Sequence, residues 1–327
     1  MLTLFRTNQQ FANVLLLLYL GVVRFSTFMH PPPLSSIPEP HGILTEWMYA
    51  EMPPSSVVGY IAAYLLVFIQ AVFINLMMSR YRVMTEASLI PGLFYCLLTA
   101  FLPEFLPLSS ILLANTFIIL AIFFLFDVYK NTRVAARIFD VGFWIGVAGL
   151  FHFSYTLFFF WGFVGLGILR GLRLNELMMF LIGVFVPFLL FGAYLFWIDK
   201  LPLLFSGFGS NFSFFNFLPN PSPTTYIKLS ILALLIIITI FSNGQTSGRR
   251  NINTQKFVTN IYWLLLLAGI TVIFQSRTTL NHALILAVPL SMLLSIAFQR
   301  IGVATAEVLH MLLLVIAMIL QFEYLLV

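Results

Sequence analysis

The chain has 327 residues, of which 61% are hydrophobic and only 8% are charged. A soluble domain carries about 25% charged residues, so this composition excludes a water-soluble protein and predicts an all-α, polytopic membrane protein. The formal net charge is +5, but Lys and Arg stand in ones, twos and threes between apolar runs, which argues against nucleic acid as a partner. The single cysteine, Cys96, excludes an intramolecular disulfide.

Apolar runs predict a bundle of about eleven transmembrane helices that forms a single domain over residues 1–327. The run from 139 to 169 is too long for one span, and we expect it to break at His152, Ser154 and Tyr155. Seven glycines between residues 142 and 171 are expected to let helices pack closely around this break. In chain order, the predicted helices cover residues 11–28, 57–78, 87–102, 108–128, two segments within 139–170, 175–198, 225–242, 257–275, 281–299 and 304–326.

The loop 29–56 follows the first predicted helix and is acidic. It contains three of the eleven carboxylates and no Lys or Arg; the three are Glu39, Glu46 and Glu51. Proline clusters at both ends prevent the neighbouring helices from continuing into the loop. Between them, apolar positions within residues 43–48 recur at helical spacing, which predicts a short amphipathic helix in the membrane interface. The alternative is that this helix only caps the bundle and that its carboxylates are solvated.

Positive residues predict the orientation, because Lys and Arg in short loops favour the cytoplasmic side. With the N-terminus in the cytoplasm, eleven spans place the C-terminus outside, together with the loops 29–56 and 199–224. Lys200 and Arg277 then fall outside, while Arg24 and Lys228 are expected at outer helix ends, where long side chains reach the interface. The other twelve of the sixteen Lys and Arg residues lie in the cytoplasm: Arg6, Arg80, Arg82, Lys130, Arg133, Arg137, Arg170, Arg173, Arg249, Arg250, Lys256 and Arg300.

The ionisable residues predicted on the outer side come from two parts of the chain. The first loop supplies carboxylates, and later segments supply mainly basic groups, among them His152, Lys200, Arg277 and His282. This division suits a reaction in which a carboxylate takes a proton from an acceptor while cations hold a phosphate leaving group. The alternative is that loops are simply the least costly place for charges. No spacing matches a metal site or a phosphate-binding glycine loop.

The loop 199–224 is strongly aromatic, with five phenylalanines between residues 205 and 215. A solvated loop does not tolerate so many exposed aromatic rings. We expect this loop to dip into the outer leaflet or to cover a groove. Such a groove could admit a polyprenyl chain, although a protein partner would bury the same surface equally well.

The order of these features resembles the C-type glycosyltransferase superfamily of polytopic membrane enzymes. The resemblance rests on an acidic first outer loop with an interfacial helix, on the stretch GFWIGVAGLFHFSYTLFFFWGFVGLGILR, and on RTTLNHALILAVPLSMLLSIAFQR with its central Pro289. The chain departs from the superfamily pattern in having no carboxylate before Glu39. It is also similar to a family of Bacteroidota integral membrane proteins, most clearly in residues 173–176 and the LIGVFVP run that follows.

The superfamily resemblance implies an enzyme of the bacterial inner membrane that transfers a sugar from a polyprenyl-phosphate donor on the outer face, often with a divalent metal. Carried over, one of the first-loop carboxylates would be the catalytic base, and Arg277 and His282 would meet the donor phosphate, with His152 and Lys200 as further substrate-binding candidates. The main rival hypothesis is a non-enzymatic subunit of an envelope complex that docks a membrane-protein partner through its outer loops. A lipid or small-molecule transporter using Glu307 or His310 is the third.

Overall fold

The computed structural model describes residues 2–5, 10–29, 42–84, 88–131, 134–171, 173–202, 204, 223–244, 251–275 and 279–322. Over these ranges the chain is all-helical, with no β-strand. Eight helical segments within them are long and apolar enough to cross a membrane. By length and composition the chain is therefore a multi-pass membrane protein, as its sequence predicts.

The helices follow the predicted apolar runs in order. Serine hydroxyls begin two of the long ones, because Ser56 and Ser109 accept hydrogen bonds from backbone N–H groups of the first helical turn. Short 3-10 segments lie at Pro103–Phe105, Phe153–Leu157 and Leu280–Leu286. The α-helices are α1 (Leu2–Phe5), α2 (Gln10–Val23), α3 (Phe25–Met29), α4 (Ile43–Glu51), α5 (Val57–Arg80), α6 (Ile90–Leu98), α7 (Ser110–Asp127), α8 (Ala135–Phe151), α9 (Phe158–Arg170), α10 (Leu174–Trp197), α11 (Pro223–Gly244), α12 (Ile252–Ile273), α13 (Ala287–Phe298) and α14 (Val303–Gln321).

Three of the eleven predicted spans are shorter than these eight segments, two of which include a 3-10 turn. α2 has 14 residues and α8 has 17. α6 has only nine residues, about 14 Å at 1.5 Å per residue, whereas the bilayer core is about 30 Å thick. The chain continues from α6 to α7 through residues 99–109, which we call the central turn. The predicted break at His152 is confirmed, since a 3-10 segment separates α8 from α9.

The core of the bundle consists of α6, the 3-10 segment Leu280–Leu286 and α13. Every residue of these three elements is buried. Around them, α10, α11 and α14 expose long rows of Leu, Ile, Phe and Val side chains. Apolar side chains are compatible with lipid tails, and a helix satisfies its own backbone hydrogen bonds, so these outer faces suit a membrane.

α8 and α10 cross with their backbones almost in contact. A Cβ atom at Gly142 would overlap the carbonyl oxygen of Phe180, and a Cβ atom at Gly183 would overlap that of Phe139. Only glycine leaves room for this approach, which increases van der Waals contact between the helices. The prediction that glycines allow close packing in this region is confirmed for Gly142, Gly146, Gly149, Gly162 and Gly165, whereas a Cβ atom at Gly171 would meet nothing within 4 Å.

One end of the bundle collects ion pairs, and we call it the basic end. Asp127, at the end of α7, pairs with Arg80 at 3.3 Å and with Arg137 at 3.1 Å. Arg170 of α9 reaches the chain just after α7. Burial, with the Asp127 carboxylate adding to it, raises the pKa of Tyr81, whose hydroxyl donates a hydrogen bond to Asp127. These contacts bring together helix ends that the alternating topology predicts on one side.

Candidate functional site

The helix predicted in the first loop forms and docks at the other end of the bundle, which we call the α4 end. The hydroxyl of Thr45 donates to the carbonyl of Phe151 at 2.7 Å, and the N–H of Gly42 donates to the same oxygen at 2.7 Å. Trp47 packs edge-on against Tyr194, near the C-terminus of α10, with 5.2 Å between ring centroids. α4 is therefore held between the ends of α8 and α10.

A buried polar centre lies next to this contact and includes His152, the residue after Phe151. The rings of His152 and His282 lie 5.6 Å apart, measured between centroids, and the two residues are 1% and 0% exposed. Ser110 Oγ is 3.0 Å from His152 Nδ1, and Gln275 Nε2 is 3.5 Å from His152 Nε2. Ser154 donates to Gln275 Oε1 at 3.0 Å. Side chains from four separate segments thus meet at one buried place.

Two buried cations hold the central turn beside this centre. Arg24 follows α2 and donates to the carbonyls of Thr99 and Leu106, each at 3.0 Å. Lys228 of α11 forms an ion pair of 2.8 Å with Glu104. Arg24 and Lys228 are only 2% and 5% exposed. The prediction that both side chains reach the membrane interface is therefore wrong, because the central turn supplies oxygen atoms for their charges inside the protein.

Glu104 is a carboxylate in a different environment from those of the first loop. Its Oε1 atom pairs with Lys228, while its Oε2 atom is buried and has no hydrogen-bond partner among the described residues. The 3-10 turn that carries it packs against Leu280–Leu286, the segment that contains His282. Glu104 lies between the predicted helices 87–102 and 108–128, which the alternating topology joins on the outer side, but the sequence gives no reason to select it. The only local signal is the pair of prolines, 103 and 107, which make the turn rigid.

A groove of about 500 Å³ lies between α11 and α12. It is lined mainly by aliphatic and aromatic side chains, including Ile236 of α11 and the partly exposed Trp263 of α12. The hydroxyl of Tyr262, another lining residue, is shielded and has no partner in the described part of the chain. Leu286 also lines the groove and ends the 3-10 segment that carries His282. One 3-10 segment therefore carries both His282 and a residue that lines the groove.

The structure brings five of the seven predicted site residues to the α4 end, but in two different environments. His152 and His282 are buried together in the polar centre. Glu46 and Glu51 lie on α4 and are exposed, and Lys200 is exposed three residues after α10 ends. The acids and the imidazoles thus share one end of the bundle, with α4 and the end of α8 between them.

Two predicted site residues, Glu39 and Arg277, lie outside the described residues, and so do the phenylalanines of residues 205–215. Sequence reasoning also missed Ser110 and Gln275, which bond to His152. Ser and Gln are common in apolar helices as ordinary polar residues, so only the tertiary contact shows that they surround an imidazole.

The divalent metal that the resemblance implies does not fit the described residues. No group of three or more His, Cys, Asp and Glu side chains that could hold a metal ion occurs in the ranges that the structure describes. His152 has Ser110 and Gln275 beside it, and these are weaker ligands than carboxylates for a divalent ion. We therefore derive no chemical step through a metal.

No protein-family model matches the chain, and no curated protein matches it either. Fold and site define its class instead: a multi-pass α-helical membrane protein with a buried polar centre towards one end and an apolar groove beside that centre.

Proposed function

We propose that this protein is a glycosyltransferase of the C-type scaffold that acts in bacterial envelope assembly. It would transfer a sugar from a polyprenyl-phosphate donor at the outer face of the inner membrane. The observation that carries the proposal is a convergence at the α4 end: α4 bonds to Phe151, the next residue is His152, and the ring of His152 lies against that of His282. Acidic and phosphate-binding candidates from distant parts of the chain therefore belong to one region.

The apolar groove supports a lipid-linked donor. Its lining on α12 extends from Thr259 to Val272, about 20 Å of helix at 1.5 Å per residue. That length accommodates several isoprene units, and the apolar walls match a hydrocarbon chain. Val272 is three residues before Gln275, which bonds to His152. A prenyl chain in the groove would thus present its phosphate to the polar centre.

The first-loop carboxylates, of which Glu46 and Glu51 are exposed, suit the acceptor side of the reaction. The acceptor hydroxyl oxygen attacks the anomeric carbon of the sugar, the bond from that carbon to the phosphate oxygen breaks, and a carboxylate takes the hydroxyl proton. Glu39, Glu46 and Glu51 are the candidates for this general base. His152, Lys200, Arg277 and His282 are the candidates for stabilising the charge on the leaving phosphate.

We further propose eleven crossings, with the N-terminus in the cytoplasm and the C-terminus and α4 outside. Contacts among Asp127, Arg80 and Arg137 at the basic end support this alternation, because they join helix ends that an even number of crossings separates. Labelling intact cells with a membrane-impermeant maleimide tests the orientation. A Glu51→Cys variant should be labelled and an Arg137→Cys variant should not; the reverse result would invert the topology.

A transfer assay tests the enzymatic proposal. The purified protein is reconstituted in liposomes with undecaprenyl phosphate carrying a radiolabelled hexose, and envelope extract supplies acceptors. We expect label to leave the lipid fraction only when the protein is present. Glu39→Gln, Glu46→Gln and Glu51→Gln are compared with Glu307→Gln on α14 as the control. Loss of the general base should lower the rate about 100-fold or more in one of the three variants.

Two outcomes would contradict the transferase. If the wild-type protein leaves the label in the lipid fraction, the donor class is wrong. If transfer occurs but survives all three first-loop substitutions, the base is not in this loop. Cellular function that survives the same substitutions without transferase activity would favour the non-enzymatic subunit of an envelope complex.

A further inference from the structure

The imidazole of His282 is held in one orientation by its own 3-10 segment. Its Nδ1 atom accepts a hydrogen bond from the backbone N–H of Thr279 at 2.9 Å. The side-chain hydroxyl oxygen of Thr279 in turn accepts from the backbone N–H of His282, so the two residues form a capping box. The carbonyl oxygen of Thr279 lies farther from Nδ1, at 3.3 Å, than the N–H group does. Because a backbone N–H can only donate, we assign Nδ1 as the nitrogen without a proton. The neutral ring with this assignment carries its proton on Nε2.

This Nε2–H group has no acceptor in the part of the chain that the structure describes. His282 is fully buried, and its Nε2 atom has no hydrogen-bond partner among the described residues. The adjacent ring differs, since His152 uses Nδ1 with Ser110 and Nε2 with Gln275. A buried donor left unpaired costs about 1–3 kcal/mol. Such a group in a polar centre points to a ligand that supplies the acceptor oxygen.

We propose that the Nε2–H of His282 donates a hydrogen bond to a phosphate oxygen of a lipid phosphate, and that binding this phosphate requires no divalent cation. The inference rests on the function proposed above and states how the donor phosphate is recognised. Hydrogen bonds to an ionised acceptor are about twice as strong as neutral ones, so an ionised phosphate oxygen would be a strong partner for this donor. Leu286, four residues further along, lines the groove that would hold the lipid chain.

The same tautomer makes His282 a poor metal ligand. An imidazole that binds a metal through one ring nitrogen normally donates a hydrogen bond from the other. At His282 the other nitrogen, Nδ1, is closer to the N–H of Thr279, at 2.9 Å, than to its carbonyl oxygen, at 3.3 Å, and in this arrangement it accepts. Binding of a metal at Nε2 would require the capping box to break. A directly bonded phosphate keeps it intact.

Two substitutions separate the donor from the capping role. His282→Asn keeps an acceptor for the Thr279 N–H but loses the group at the Nε2 position, whereas His282→Gln places an amide N–H near that position. Binding of undecaprenyl phosphate to each protein in lipid nanodiscs is measured by native mass spectrometry, with and without EDTA. We expect about 10-fold or greater weakening in the Asn variant, a smaller loss in the Gln variant and no effect of EDTA on the wild type. Inorganic phosphate, tested alongside, shows whether the lipid chain is required.

The failures of the two proposals are distinguishable. If wild-type protein binds undecaprenyl phosphate but the Asn variant binds it equally well, or if EDTA abolishes binding, the role of His282 is wrong and the transferase survives. If the wild type does not bind this lipid at all, both proposals fail. ¹⁵N NMR of histidine-labelled protein reads the tautomer independently of any ligand, and a proton on Nδ1 of His282 would also overturn the inference.

Discussion

Arg24 illustrates how a charged residue is stabilised inside this bundle. In the described part of the chain the guanidinium donates to the backbone carbonyls of Thr99, Phe105 and Leu106 rather than to a carboxylate. These carbonyls belong to a stretch that leaves the helix, where backbone oxygens lack helical partners. The planar group with five donors can satisfy several of them at once.

Replacing Arg24 by Met should destabilise the protein strongly, because the methionine fills the space but leaves the buried carbonyls unpaired. Hydrogen bonds to a charged group contribute about 1.5–3 kcal/mol each, so we expect a loss of about 3 kcal/mol or more. Thermal unfolding in detergent measures it. Arg24→Lys, which keeps the charge and part of the bonding, should lose less. Equal stability of wild type and the Met variant would contradict this account of the central turn.

The ion pair between Lys228 and Glu104 makes a second prediction at the residue scale. Lys228→Met leaves the Glu104 carboxylate half-buried and without its cation, and should cost about 1–3 kcal/mol; the 33% exposure of the Glu104 side chain moderates the loss. Adding Glu104→Gln removes the uncompensated charge. The double variant should therefore unfold at a higher temperature than Lys228→Met alone. If the destabilisation of the double variant equals the sum of those of Lys228→Met and Glu104→Gln, the two side chains have no energetic coupling.

At the scale of elements, the crossing of α8 and α10 depends on glycine. Gly142→Ala forces a methyl group against the Phe180 carbonyl, so the helices must separate. We expect a destabilisation of about 1–3 kcal/mol. Gly269→Ala on α12 is the matched control, since its methyl group meets no atom within 4 Å, and it should be neutral or stabilising by up to about 1 kcal/mol. Thermal unfolding measures the stability of both variants. An unchanged unfolding temperature for Gly142→Ala would contradict the close crossing of α8 and α10.

The elements also show what the sequence could predict. The apolar spacing of residues 43–48 predicts α4, and the polar residues after Phe151 predict the break between α8 and α9; both are local signals, and both predictions are confirmed. α6 is shorter than its apolar run because the chain leaves the helix at Thr99. Hydropathy does not detect that end, since residues 99–102 are as apolar as a helix interior.

The candidate site was predictable only in part, because sequence patterns indicate local structure but not contacts between distant residues. His152 and His282 attract notice as histidines beside apolar runs, but their contact joins residues 130 positions apart. The environments of Arg24 and Lys228 depend on the central turn, which lies far from both in the sequence. A prediction from the neighbouring residues alone places such cations in the solvent at the closest helix end. Only the tertiary fold shows that the interior supplies their partners.

At the scale of the whole molecule, an interior of α6, Leu280–Leu286 and α13 is enclosed by helices with apolar outer faces. The long 3-10 segment has three residues per turn, so its side chains follow a different spacing from those of the α-helix that continues it. His282 and Leu286 on this segment connect the polar centre to the groove. A lipid phosphate that occupied both would contact the most completely buried part of the protein.

A cryo-electron microscopy map of the protein in nanodiscs containing undecaprenyl phosphate is the most direct measurement of this arrangement. The account predicts a continuous chain density between α11 and α12 that ends in a phosphate about 3 Å from Nε2 of His282. A phosphate bound at the basic end, or a chain in the groove whose phosphate lies away from His282, would contradict it.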